Sequence, residues 1–242
     1  MMGQEKKPLS EILDIIDGKK KIVAMGCGGC STVFHTGGIE EVNELAEKLT
    51  AEGKKVTKIG LPFAVFACYR PFSFMFLEKH KKDLEDCDAV LMMSCGDGLQ
   101  TVREILDEEL KIEKPIYPAT NALGVSGGGP EIFIEKCQAC GDCVLGITAG
   151  ICPLTECAKG LLNGPCGGTR QGGKCEVDPD KDCAWYLIYN RLKSIGEFDK
   201  IENFVESHDW SKVTRPRVFK REPLDLHKHL RRTKELLESL GI

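Results

Sequence analysis

Residues 21–61, KIVAMGCGGCSTVFHTGGIEEVNELAEKLTAEGKKVTKIGL, decide the fold. Lys21 to Gly26 is a short apolar run that stops at glycine, after which Ile39, Val42, Leu45, Ala46 and Leu49 recur at helical spacing before Gly53. Lys55 to Leu61 then reads as a second strand. The alternation continues with Phe72 to Asp86 as helix, Ala89 to Ser94 as strand, Leu99 to Leu110 as helix and Pro115 to Thr120 as a fourth strand. Strands alternating with amphipathic helices make right-handed crossovers, so the predicted class is α/β, a doubly wound and mainly parallel sheet of flavodoxin or Rossmann type.

Past about Gly124 the composition changes. GVSGGGP (124–130) marks a junction and reads as a loop, since no G-x-G-x-x-G opens a helix after a strand. Eight cysteines then fall between Cys137 and Cys183 amid many glycines and prolines. Such a stretch has little apolar surface to offset its ordering entropy, so metal–thiolate bonds are its expected source of stability. Ala184 to Ile195 (AWYLIYNRLKSI) and Leu224 to Leu240 are amphipathic helix candidates, with Trp185 and Tyr186 expected as core beside the metal module. Three segments follow: an α/β domain (1–125), a small Cys-rich module (126–195), and a helical or extended tail (196–242) that is basic from Ser211 onward, with nine Lys/Arg against four Asp/Glu. The tail is either a solvated surface or a docking element for an acidic partner.

A formal net charge of -4 and a pI near 5.8 argue against a nucleic-acid surface, which needs clustered Lys and Arg. Met1 to Lys20 contains no apolar run of signal or spanning length, so a cytoplasmic protein without a membrane span is expected. In that reducing compartment 13 cysteines do not form a disulfide framework, and their odd number forbids complete pairing. Cys87, at the edge of an apolar strand, is assigned as a small buried hydrophobe.

Ligands of an open parallel sheet bind beyond the carboxyl ends of its strands. Cys27 and Cys30 (CGGC) follow the first predicted strand, Cys68 the second and Cys95 the third, so four sulfurs from three loops can meet as the ligands of one [4Fe-4S] cluster. Gly28, Gly29 and Gly96, with Gly26 and Gly98, would let backbone N–H groups approach those sulfurs. A thioredoxin-type dithiol at Cys27 and Cys30 is the competing reading; STVFHTGG delays the helix it requires and it leaves Cys68 and Cys95 without a purpose. The second set is Cys137, Cys140 and Cys143, spaced C-x2-C-x2-C, with Cys152 before Pro153. Bacterial ferredoxins open and close their cluster loop in this way, although here eight residues rather than three precede the last cysteine. Cys157, Cys166, Cys175 and Cys183 remain, sufficient for a further cluster or for a tetrahedral zinc; their wide spacing favours iron and sulfur over the two close pairs usual for zinc. His35 and His80 read as surface or capping residues with no accompanying carboxylate pattern, and no nucleophile stands beside a base, so no catalytic residue is assigned.

CGGC after the first strand, CQACGDC (137–143), NGPCGGTRQGGKCEV (163–177) and DCAWYLIYNRL (182–192) together resemble the methylenetetrahydrofolate reductase C-terminal domain family, of which MetV-type small subunits are members. The resemblance implies an accessory iron–sulfur subunit, with two or three [4Fe-4S] clusters and possible zinc. It would relay electrons from ferredoxin or a larger redox assembly to a flavin-bearing catalytic subunit in the one-carbon metabolism of acetogenic and related anaerobes. Under this implication Cys27, Cys30, Cys68 and Cys95 form one station and Cys137, Cys140 and Cys143 anchor another. The rival expectations are a zinc–thiolate methyl-transfer subunit without a redox role and a purely structural docking subunit.

Overall fold

The computed structural model describes residues 1–128, 132–215 and 217. They form two compact units, Met1–Ala139 with Cys143–Glu206, and Cys140–Asp142 with the described part of Ser207–Ile242. The predicted helix at Leu224 to Leu240, and most of the basic tail, lie outside the described residues.

The first unit is built on a four-stranded parallel sheet of β2 (Lys21–Gly26), β3 (Lys55–Ile59), β4 (Ala89–Met93) and β5 (Ile116–Pro118), in the order β3-β2-β4-β5. The α/β expectation is borne out. The apolar run of each central strand is explained by burial on both faces, because side chains of period two must satisfy two separate cores. Val23, Met25, Val90 and Met92 pack with Leu77 of α4 (Arg70–Lys79), Leu84 of α5 (Lys81–Asp86) and Val102 of α6 (Gly96–Glu104). Ile22, Ala24, Leu91 and Met93 pack on the opposite face with Ile12 of α1 (Leu9–Ile15) and with Val42, Leu45 and Leu49 of α3 (Ile39–Ala51).

Two elements differ from the sequence reading. The predicted Phe72 to Asp86 helix is two helices meeting at His80, whose φ of -102° and ψ of 17° lie outside the helical region. Leu99 to Leu110 begins earlier, at Gly96, and ends as a π-helical turn over Ile105–Leu110, closed by Lys111 in the left-handed conformation at φ 57°.

A second, antiparallel sheet was not foreseen. Its strands are β1 (Met2–Lys6), β6 (Thr120–Gly128) and β7 (Phe133–Glu135), in the order β1-β6-β7. The glycine-rich junction is therefore strand as far as Gly128, held by ladder hydrogen bonds that need no side chain. Beyond it, α8 (Ala184–Ser194) buries Trp185, Ile188 and Leu192 against Ala149, Ile151 and Ile201, a small core of its own. Tyr186, expected inside, is exposed and lies over Gly173.

Leu91 is fully buried in the middle of a central strand. Leu91→Ala is expected to cost about 2–5 kcal/mol, read as a lower denaturant midpoint with an unchanged slope in an anaerobic guanidinium titration.

Candidate metal centre

In the β3-β2-β4-β5 order, β2 and β4 are neighbours whose following helices, α3 and α6, cover opposite faces of the sheet. Their outgoing loops therefore part, leaving a crevice at the carboxyl ends. Cys27 is the first residue after β2, and Cys95 caps α6 two residues after β4. Cys68 comes from the loop between β3 and α4, and Cys30 opens the short helix α2 (Cys30–Val33).

The loop after β3 is laced onto the CGGC turn: Gly28 N–H donates to Val65 O at 3.1 Å and Ala64 N–H to Gly28 O at 2.8 Å. A Cβ on Gly28 would stand 1.7 Å from Pro62 O, and one on Gly29 would stand 2.4 Å from the Phe66 ring, so these glycines are required by loop-on-loop contact. Gly96 is not crowded, since a Cβ there would make only an ordinary contact with Gln100 Nε2 at 3.8 Å. The amides that reach sulfur are others. Ala67 N–H donates to Cys27 Sγ at 3.4 Å, and the N–H groups of Gly98 and Asp97 donate to Cys95. Residue types around a cysteine do not announce such donors, and Ala67 and Asp97 escaped the sequence reading.

The thiols sense one another. Cys68 is exposed on one side, yet its thiol is pushed up to about 11, first by loss of solvation within the loops and then by the neighbouring thiolates of Cys95 and Cys27. Burial raises Cys95 as well, against the pull of its two amide donors, with Asp97 and Cys27 adding to the rise. Ionising these thiols together would gather negative charge in a partly dry crevice, a cost that a bound cationic centre relieves. Cys87 lies apart in the core, donating to Leu84 O at 3.2 Å.

Farther along the chain, Cys157, Cys166, Cys175 and Cys183 line one small cavity together with Thr169 and Trp185. Each of the last three has a donor at its sulfur. Gly168 N–H reaches Cys166 Sγ at 3.4 Å, the Thr169 hydroxyl reaches Cys183 Sγ at 3.2 Å, and the N–H groups of Asp178 and Val177 lower the Cys175 thiol. Ala139 N–H likewise donates to Cys137 Sγ at 3.3 Å, and the Thr155 hydroxyl to Cys152 Sγ at 3.5 Å. An amide two residues after the cysteine thus serves Cys95, Cys137, Cys166 and Cys175, the arrangement of a backbone turn wrapped around a thiolate. Lys159 and Glu176 form an ion pair beside Cys166.

In the second unit, Cys140 adjoins Asp142, whose carboxylate accepts from Lys212 Nζ at 2.6 Å and from Asp209 N–H at 3.2 Å and is held below the usual carboxylate range by them. Among the described residues, the one trio of metal-ligand atoms within 4.8 Å of one another is His35, Glu40 and Glu41, so carboxylates do accompany His35. Glu41 caps α3 through Gly38 N–H at 2.8 Å, which gives its placement a helix-capping reason.

Residues 117–211 match the family model described as methylene-tetrahydrofolate reductase C terminal. The resemblance read from the cysteine strings is thus borne out over this segment, which contains all eight cysteines from Cys137 to Cys183 and the helix α8. The match covers 95 of the 242 residues, and the α/β segment before residue 117 lies outside it. Comparison with curated proteins and with solved structures gives no match. Among the described residues no helix is long and apolar enough to cross a membrane.

The opposite thiol shifts have a readout. The thiolate is the nucleophile, so in reduced, metal-free protein near pH 8 only about one Cys68 in a thousand is ionised at a pKa of about 11. Cys175, lowered by its amide donors, is expected to react with iodoacetamide well before Cys68, and the Cys68 rate should climb about tenfold per pH unit up to about pH 11. Peptide mapping by mass spectrometry across that range checks the order; equal rates at pH 8 contradict it.

Proposed function

We propose that this chain is the iron–sulfur accessory subunit of a methylenetetrahydrofolate reductase complex, a cytoplasmic protein that passes electrons to a flavin-bearing catalytic subunit. The observation that supports the reading is that Cys27 and Cys95, at the sheet's switch point, lie near enough to Cys68 to help raise its thiol, on the same chain as the segment 117–211. Cys30, three residues after Cys27, is the natural fourth ligand.

The donor chemistry fits [4Fe-4S] clusters: sulfurs in both sets receive N–H or O–H hydrogen bonds, which stabilise thiolate and sulfide charge without adding a countercharge.

When bound, such clusters supply reversible one-electron carriage. The chain's own residues hold and insulate that chemistry. Cys27, Cys30, Cys68 and Cys95 are the proposed ligands of the strand-end station, with the core of the sheet beneath them. Cys157, Cys166, Cys175 and Cys183 are the proposed ligands of a second station around their common cavity, with Trp185 against it. The C-x2-C-x2-C run of Cys137, Cys140 and Cys143 is the proposed anchor of a ferredoxin-like set. Domain limits at 125 and 195, a donor that is ferredoxin or a larger redox assembly, and a role in acetogenic metabolism belong to the same proposal.

Anaerobic quantification of iron, sulfide and zinc tests it. Wild-type protein is expected to be brown with several irons and matching sulfide. The double variants Cys27→Ser/Cys95→Ser and Cys166→Ser/Cys183→Ser should each lose about four irons while retaining the circular dichroism of the sheet. Colourless protein holding zinc alone overturns the electron-carrying role.

A further inference from the structure

Cys166 has a carboxylate at its sulfur: its thiol donates to Glu176 Oε1 at 3.5 Å. The backbone builds this contact. Gly168 N–H donates to Cys166 Sγ at 3.4 Å, closing a tight turn over the sulfur, and a Cβ on Gly168 would overlap Glu176 Oε2. The carboxylate fills the space that the glycine leaves. Arg170 fixes the same residue by its main chain, the guanidinium donating to Glu176 O at 2.9 Å.

A carboxylate in that position suits a thiol and not a thiolate. Once Cys166 has given up its proton to bind metal, the hydrogen bond becomes a contact between two anions. Lys159 answers that repulsion. Its ammonium donates to the same oxygen, Glu176 Oε1, and lies within hydrogen-bonding reach of Cys166, so the three groups meet at one point on the cavity wall. The ammonium is held above its ordinary range first by Glu176 and then, against some loss of solvation, by Cys166. Among the described residues that line the cavity, Lys159 is the one cation, beside four cysteines and the carboxylates of Glu156 and Glu176.

We infer that Lys159 is a positioning residue for the centre of Cys157, Cys166, Cys175 and Cys183, its ammonium offsetting the Glu176 carboxylate at the Cys166 sulfur and raising the reduction potential there. This rests on the reading of those four cysteines as the ligands of a [4Fe-4S] cluster. Reduction adds one negative charge beside the sulfurs, and a cation held against one of them favours the more negative form. Glu176 acts in the opposite sense. The pair is partly exposed, 42% at the Lys159 side chain and 35% at Glu176, so solvent and salt screen the effect and keep it to a few fold.

The test uses the full-length protein, purified anaerobically and titrated with dithionite while electron paramagnetic resonance is recorded. The signal to follow is the one abolished by Cys166→Ser/Cys183→Ser. Lys159→Met is expected to keep wild-type iron and to shift that equilibrium about threefold toward the oxidised form, about 28 mV more negative at 59 mV per tenfold for one electron. Lys159→Arg should restore the wild-type value. Glu176→Gln should move the same signal the other way, and about 1 M salt should shrink the gap between Lys159→Met and wild type. If Lys159→Met does not fold, Lys159→Gln carries the test. An unmoved potential in the Lys159 variants, or a shift of the same sign in Lys159→Met and Glu176→Gln, overturns the inference and leaves the cluster reading standing. If the wild-type protein has no signal that Cys166→Ser/Cys183→Ser abolishes, the cluster reading of this cavity fails and the inference falls with it.

Discussion

Everything at the strand-end site depends on one topological constraint, the adjacency of β2 and β4 with their crossover helices on opposite faces of the sheet. Because both strands are buried on both sides, neither can shift register without exposing one of two apolar cores, so the exits at Gly26 and Met93 are held firmly. The cysteines ride on those exits. Rigid strands thus deliver Cys27 and Cys95 to a common place, and only Cys68 depends on a longer loop, one tied down by the Gly28, Val65 and Ala64 backbone bonds.

The segment from Cys137 to Cys183 is stabilised differently. Its own apolar core amounts to Trp185, Ile188 and Leu192 with a few partly buried neighbours, little for so many ordered residues. What it has in quantity is polar attention to sulfur: amides at Cys137, Cys166 and Cys175, hydroxyls at Cys152 and Cys183. Folding and ligand binding are coupled in such a segment, since thiolates brought together repel until something cationic joins them. The two halves of the chain divide the work between a sheet that would hold its shape by burial and a loop region organised around its sulfurs.

The parts legible in the sequence were those with a strong period. Lys21 to Gly26 and Ala89 to Met93 read as buried strands because they are apolar without interruption, and Ile39 to Ala51 reads as a helix because its apolar residues return every three or four positions. The strand β1 was invisible: its sequence, MGQEK, has no alternation, and its partner is rich in glycine, so the pairing rests on backbone hydrogen bonds that leave no residue signature. The helix break at His80 is also a backbone event. The strand-end placement of Cys27, Cys68 and Cys95 was readable from the alternation alone. The amides of Ala67 and Asp97, the shared cavity of the four later cysteines and the buried amide of Gln4 required the fold, since each arises from residues distant in the chain or from turn geometry.

The pairing of β1 with β6 has a consequence for the order of assembly. Met2 to Lys6 are made more than a hundred residues before their partners Thr120 to Val125, so this strand waits for its neighbour while the parallel sheet's strands are already complete. The Gln4–Ser31 contact that β1 brings to the Cys30 turn waits with it, which makes the turn's support the product of the chain's most distant pairing.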